Sequence, residues 1–408
     1  MWMRLTALLC GAVLTVTPAG AERIGDGESG ESYEQLTAAT AADWERDTGG
    51  AAAAEGPALE IRAKGAVLMD LAGGRVLYEQ DADEELPIAS VTKVMTLLLA
   101  FEAMEGGVFT PETVLTCSPE AAAYGGSQIW LEPGEQMSVE DLLKAVAVVS
   151  ANDACAVLAE AVDGSVEGFV AHMNRRAAEL GMAHTRFLDC CGLEDGARST
   201  ARDVALMSRA LMTHPEVTRY TTIWMDTLRE GRSELVNTNK LIRFYDGATG
   251  LKTGTTAAAG HCLSATALRG GMGLCAVVLG CATTNDRFGG ARKLLDYGFA
   301  NYSLYDPAPE AQTFPPVPVL HGTAPEVLPA ADAAAPLLLR RGEESRVVTS
   351  LTLAEDLEAP VLPGQVLGEL TLTLDGEPLA VYPVTASEGV ERLKFGDGLC
   401  WLWKKLVS

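Results

Sequence analysis

The chain has 408 residues, 48% of them hydrophobic, which is enough for a core and for two domains. Its 55 acidic and 31 basic residues leave a net charge of −24. That balance argues against a phosphate-backbone partner, which needs a basic face, so no nucleic acid is expected.

Residues 1–21 read as a secretory signal. Arg4 is the charged start, "LTALLCGAVLTV" the apolar stretch, and "AGA" a small-residue cleavage site ending at Ala21. A retained helical anchor is the alternative, for which the apolar run is short. Cleavage leaves eight cysteines, at positions 117, 155, 190, 191, 262, 275, 281 and 400. An even count in an exported chain permits disulfides. A chain of this size does not need them, and Cys155, Cys262 and Cys275 lie in apolar patterns where cysteine serves as a small core hydrophobe. No zinc spacing is present, so neither a metal nor a cofactor is expected.

Residues 22–56, rich in Ala, Gly, Glu and Thr without a period, read as a disordered linker. "IRAKGAVLMD" predicts a strand, "LAGG" a turn and "RVLYEQ" a second strand. "SVTKVMTLLLAFEAME" has helical spacing, with Ser90 at its start. "SVEDLLKAVAVVSANDACAVLAEAV" opens on Ser138 and Asp141 as capping partners and predicts a buried helix broken near Ser150. Two amphipathic helices follow, "VEGFVAHMNRRAAELGM" and "TARDVALMSRALMTHPE". "GLKTGTT", "GHCLSATALR" and "MGLCAVVLGCA" predict strands, the last two joined by Gly270–Gly271, and "RFGGARKLLDYGFANY" a helix. From residue 303 the composition turns Pro-rich, and "GELTLTLDGEPLAVYPVTA" predicts a hairpin turning at Asp375–Gly376. The expected organisation is a catalytic domain at 57–304, a small β-sandwich-like domain at 305–386, and a tail at 387–408.

That tail crowds Leu399, Trp401, Leu402, Trp403 and Leu406 beside Lys404 and Lys405. It is too short and too charged to span a bilayer, but Trp next to Lys suits a membrane interface. The competing reading is a helix packed on the β-domain.

Three short elements carry chemistry together: "SVTK" at 90–93, "SAN" at 150–152 and "KTG" at 252–254. A Ser hydroxyl is a poor nucleophile and needs a base within hydrogen-bond reach. Residues i and i+3 share a helix face, so Lys93 can reach Ser90. A lysine base must be neutral part of the time, and apolar surroundings, a helix N-terminus and a second cation such as Lys252 all favour that form. The helix start also offers free backbone N–H groups for an oxyanion. Lys252 and Thr253 can hold a substrate carboxylate, Gly254 leaves room for substrate along the strand, and Ser150 and Asn152 can relay a proton and orient Lys93. A Ser-His-Asp triad fares badly: His172 and His184 flank a helix, His214 precedes Pro215, His261 opens a strand and His321 sits in the β-domain, none in a nucleophile-elbow pattern.

The sequence resembles the low-molecular-weight penicillin-binding proteins, the serine-type D-alanyl-D-alanine carboxypeptidases. The resemblance runs from about 58 to 302 through "PIASVTKVMT", "GGSQIWLEPGEQMSVEDLL", "SANDACAVLAE", "NTNKLI", "GLKTGTTAAAG" and "RKLLDYGF". It implies an α/β (α+β) transpeptidase-like domain, with an antiparallel sheet flanked by helices and a small all-β domain behind it. It implies Ser90 as the acylated nucleophile, Lys93 as general base, Ser150 and Asn152 as the second element, and Lys252, Thr253 and Gly254 as the carboxylate-binding strand. The backbone N–H groups of Ser90 and Thr255 would form the oxyanion hole. Arg287 matches a position where the family places an Arg near the substrate carboxylate, and a surface role fits it equally well. The implied substrates are peptidoglycan stem peptides, with β-lactams as inhibitors and the outer face of the cytoplasmic membrane as the location. Two departures stand out, "LDCCGL" at 188–193, with Cys in place of the family's Pro, and Arg198; neither is expected to touch the three elements. A class A-like β-lactamase and a catalytically silent wall-binding protein are the competing functions.

Overall fold

The computed structural model describes residues 59–394 and Gly396, together with the strand Glu22–Ile24. Five antiparallel strands form the central sheet, in the order Val76–Gln80, Gly65–Asp70, Met272–Cys281, Gly260–Arg269 and Ala248–Thr256. Side chains alternate across a sheet. Val67, Met69, Cys275 and Val277 therefore pack with Val204 and Met207 of the helix Ala201–Leu211. Their neighbours Ala66, Leu68, Leu274, Ala276 and Val278 pack on the opposite face with Phe288, Ala291, Leu294 and Leu295 of the helix Thr284–Asn301. Both faces are covered, which explains why these strands read as unbroken apolar runs rather than alternating ones.

On the first face lies a helical lobe. The helix Lys93–Glu105 is buried almost all round, from Lys93 to Phe101. A helix apolar on every side belongs in a core. The helix Val139–Val149 is capped as the sequence predicts, Ser138 Oγ accepting the Asp141 N–H at 3.2 Å. It breaks at Ser150, which has a left-handed φ of 65°, and the chain resumes as the helix Asn152–Asp163.

The C-terminal part is all β. Its four-stranded sheet runs Pro329–Ala330, Glu377–Ala386, Val366–Leu374, Val347–Leu353. The central hairpin turns at Asp375 and Gly376, with φ values of 52° and 90° that suit an Asp-Gly pair.

Three details differ from the sequence reading. Three residues of the predicted linker, Glu22–Ile24, pair in parallel with Ser233–Leu235; a strand edge with free backbone groups accepts such a segment. The signal, the rest of the linker, and residues 397–408 of the tail lie outside the described residues. The tail's first residues belong to the β-domain: Val390 is buried in its core, exchanges two 2.9 Å backbone bonds with Val361, and is followed by a 2.8 Å bond from Leu393 N–H to the His321 carbonyl. His172 lies inside the helix Val166–Glu179 rather than beside it. Among the described residues the cysteines, Cys155, Cys262 and Cys275 included, are free thiols and all are buried.

Candidate active site

Ser90 does not open an α-helix. It sits in a 3₁₀ turn, Ala89–Thr92, that feeds the helix beginning at Lys93. Residues i and i+3 eclipse in a 3₁₀ turn. Lys93 Nζ accordingly lies 2.9 Å from Ser90 Oγ, with Lys93 fully buried and Ser90 partly exposed.

The reason for the tighter turn is the neighbouring strand. A Cβ on Gly254 would stand 2.6 Å from the Ile88 carbonyl oxygen and 3.0 Å from both Ser90 N and Val91 N. Only glycine lets the Ala248–Thr256 strand press its backbone onto the serine turn. The room at Gly254 is thus taken by the chain itself, not left for substrate as the sequence suggested. The contact sets Gly254 of the strand directly against the Ser90 N–H.

The remaining elements converge on this point. Lys252 is buried and its Nζ donates to the Thr253 carbonyl at 3.0 Å. Thr253 Oγ1 donates to Thr238 Oγ1 at 2.7 Å, and Asn239 Nδ2 donates to the Gly250 carbonyl at 2.9 Å, so "NTNK" braces the strand. Arg287 is buried, not a surface group, and donates to Thr255 Oγ1 at 3.0 Å and toward the Gly254 carbonyl at 3.4 Å. His261 Nδ1 lies 3.4 Å from Thr255 Oγ1. The sequence offered no signal for that neighbour except that His261 faces Thr255 across the hairpin.

Asn152 ties the second element to the loop before it, its N–H donating to the Ser127 carbonyl at 2.7 Å and its Nδ2 to the Gly125 carbonyl at 2.6 Å. Ser150 Oγ and Asn152 Oδ1 are buried without a hydrogen-bond partner among the described residues. Neither orients Lys93, contrary to expectation. That contact comes from the loop thought to be remote: Lys93 Nζ donates to the Cys191 carbonyl at 2.8 Å. Thr96, one turn on, donates to the Cys190 carbonyl at 2.5 Å. Gly192, with φ at 86°, lies so close to the turn that a Cβ there would sit 1.9 Å from the Ala89 carbonyl oxygen. The departure at 188–193 is therefore part of the site. Arg198 stays apart, donating to the Asp195 and Ala197 carbonyls.

Burial pushes the Cys155 thiol well up and Cys262 up to about 11; Cys190 is raised too, by a hydrogen bond its S–H donates to Cys191 and by burial. Thiols held protonated are poor nucleophiles.

A family model described as D-alanyl-D-alanine carboxypeptidase matches residues 51–283, and a second, described as penicillin-binding protein 5, C-terminal domain, matches 302–392. Over 342 residues the chain is 40% identical to the D-alanyl-D-alanine carboxypeptidase DacF of Bacillus subtilis, covering 83% of this chain and 88% of the relative. It is 37% identical over 346 residues to DacC of Escherichia coli, covering 83% and 86%. The fold superposes on penicillin-binding protein 5 from Haemophilus influenzae with a TM-score of 0.70 at 30% identity, covering 83% of this chain and 100% of that one. It also superposes on the ampicillin-bound penicillin-binding protein D2 of Listeria monocytogenes with a TM-score of 0.53 at 36% identity, covering 60% and 100%.

Proposed function

We propose a mechanism for a chain that belongs to the D-alanyl-D-alanine carboxypeptidase family: Ser90 is the acylated nucleophile and Lys93 its general base. The enzyme is a serine-type carboxypeptidase that removes the terminal D-alanine of peptidoglycan stem peptides, and it is a penicillin-binding protein. The observation that carries the residue assignment is the buried Lys93 Nζ at 2.9 Å from Ser90 Oγ, at the edge of the Lys252 strand.

In this reading Lys93 takes the Ser90 hydroxyl proton as Oγ bonds to the carbonyl carbon of the penultimate D-alanine. The developing oxyanion is met by the Ser90 and Thr255 N–H groups. The C–N bond breaks, the leaving D-alanine nitrogen takes up a proton, and water later releases the acyl group from Ser90. Lys252, Thr253 and Arg287 receive the substrate's terminal carboxylate, which a planar guanidinium suits. That Ser150 Oγ and Asn152 Oδ1 are buried without a partner among the described residues supports a part for them in the proton path and in holding the substrate amide. The full chain is expected to release D-alanine from a synthetic peptide ending in D-Ala-D-Ala and to hold labelled penicillin covalently for minutes. Penicillin hydrolysis at many turnovers per second would favour the β-lactamase reading instead, which the C-terminal β-domain does not support.

The reading extends to location. The signal at 1–21 supports export, and the tail supports attachment to the outer face of the cytoplasmic membrane. No helix among the described residues is long and apolar enough to cross a membrane. Since Val390 is a core residue, a fair test removes only residues 397–408. The shortened chain is expected to keep penicillin labelling and to lose binding to anionic vesicles that the full chain binds. Equal vesicle binding by both chains would end the anchor reading.

A further inference from the structure

The loop 189–194 winds around one side chain. Asp189 is 7% exposed, and its Oδ1 accepts the Cys191 N–H at 2.7 Å and also the Gly192 N–H, while its Oδ2 accepts the Glu194 N–H at 2.6 Å. In a planar trans peptide unit the N–H and C=O point to opposite sides. Two consecutive units are thus gripped from both sides. In the first, Asp189 holds the Cys191 N–H while the Cys190 carbonyl accepts from Thr96. In the second, Asp189 holds the Gly192 N–H while the Cys191 carbonyl accepts from Lys93 Nζ at 2.8 Å. Thr96 and Lys93 are three residues apart on one helix face, matching the two carbonyls.

We propose that Asp189 is a positioning residue for the carboxypeptidase reaction: by fixing the Cys191 carbonyl, it fixes the Lys93 amine against Ser90. The inference rests on Lys93 being the general base. A four-carbon lysine stem has many rotamers, and a base misplaced by an ångström loses most of its advantage. Among the described residues, Lys93 Nζ bonds the Cys191 carbonyl as well as Ser90 Oγ. Both oxygens of Asp189 accept N–H groups of the loop's own backbone, and its route to the reaction runs through the Cys191 carbonyl and Lys93.

A double-mutant cycle tests this, because coupled groups fail to add. The acylation rate constant by labelled penicillin, and the dissociation constant of the complex that precedes it, are measured for the full chain and for Asp189→Ala, Lys93→Ala and the double variant. Asp189→Ala is expected to slow acylation about 10²-fold, within the range of general-base catalysis, and to change the dissociation constant less than about threefold. Without Lys93 the same substitution is expected to cost no more than about threefold. Asp189→Asn keeps an acceptor for the Cys191 and Gly192 N–H groups and is expected to recover to within about tenfold of the parent. If Asp189→Ala does not fold, the cycle is run with Asp189→Asn, whose smaller loss must also vanish without Lys93. An Asp189 effect undiminished in the Lys93→Ala background, or one residing in the dissociation constant, overturns the positioning role alone. Unchanged acylation in Lys93→Ala overturns the base assignment and this inference with it.

Discussion

Ser90→Ala is expected to abolish both covalent penicillin labelling and D-alanine release. Without Oγ there is no acyl-enzyme, and the two-step route it opens is lost entirely rather than slowed. Loss of a serine nucleophile costs on the order of 10⁶ in kcat in a well-studied serine protease. The fold should survive. Ser90 is partly exposed, and its Oγ bonds Lys93, which keeps the Cys191 carbonyl as a partner. The variant's unfolding free energy is expected to stay within about 1 kcal/mol of the parent, as for most changes that open no cavity. Peptide mapping after labelling of the parent chain decides the case: an adduct on any residue other than Ser90 would make this assignment wrong.

Much of the site was legible because it consists of side chains at short, fixed spacings. Ser90 with Lys93, and Lys252 with Thr253, announce themselves through residue type and through the period of the elements that carry them. The central sheet was legible for a similar reason: each strand is an apolar run bounded by turn residues, and Gly270–Gly271 marks the hairpin. What escaped was carried by backbone. Lys93's partner is a carbonyl 98 positions away in sequence, and a carbonyl has no residue signature. Cys191 looked like a departure from a pattern because its side chain drew attention while its main chain formed the contact. Gly254 was read for the right property, a missing Cβ, but the occupant of that space is the serine turn, a long-range neighbour that no local pattern reveals. The tail boundary was missed for the same kind of reason. Val390 pairs with Val361 by main-chain bonds, and the apolar spacing around it continues into the stretch that follows.

Gly192→Ala is the second large effect, and it follows from that hidden contact. The position has φ at 86°, where an L-residue with a Cβ is strained by roughly 1–3 kcal/mol before any neighbour is counted. The neighbours are worse: the added Cβ would lie 1.9 Å from the Ala89 carbonyl oxygen, 2.4 Å from its carbon and 2.9 Å from Thr92 Oγ1. Two of these are backbone atoms of the serine turn, whose Ile88, Ser90 and Val91 backbone is already in tight contact with the Ala248–Thr256 strand at Gly254, which leaves the turn little room to retreat. The loop must move instead, by more than an ångström. Moving it withdraws the Cys191 carbonyl from Lys93 and breaks the grip of Asp189 on the Gly192 N–H. The expected result is a loss of stability on the order of 3 kcal/mol or more, from strain and overpacking together, with penicillin acylation slowed at least about 10²-fold. Gly196→Ala in the same loop is the control. Its Cβ would meet only the Cδ1 end of the partly exposed Leu188 side chain, which can turn aside, and its cost should stay below about 1 kcal/mol. Thermal unfolding and acylation rates of the two variants, measured side by side, check the argument. A Gly192→Ala chain that melts and acylates like Gly196→Ala would mean that the loop does not rest on the serine turn.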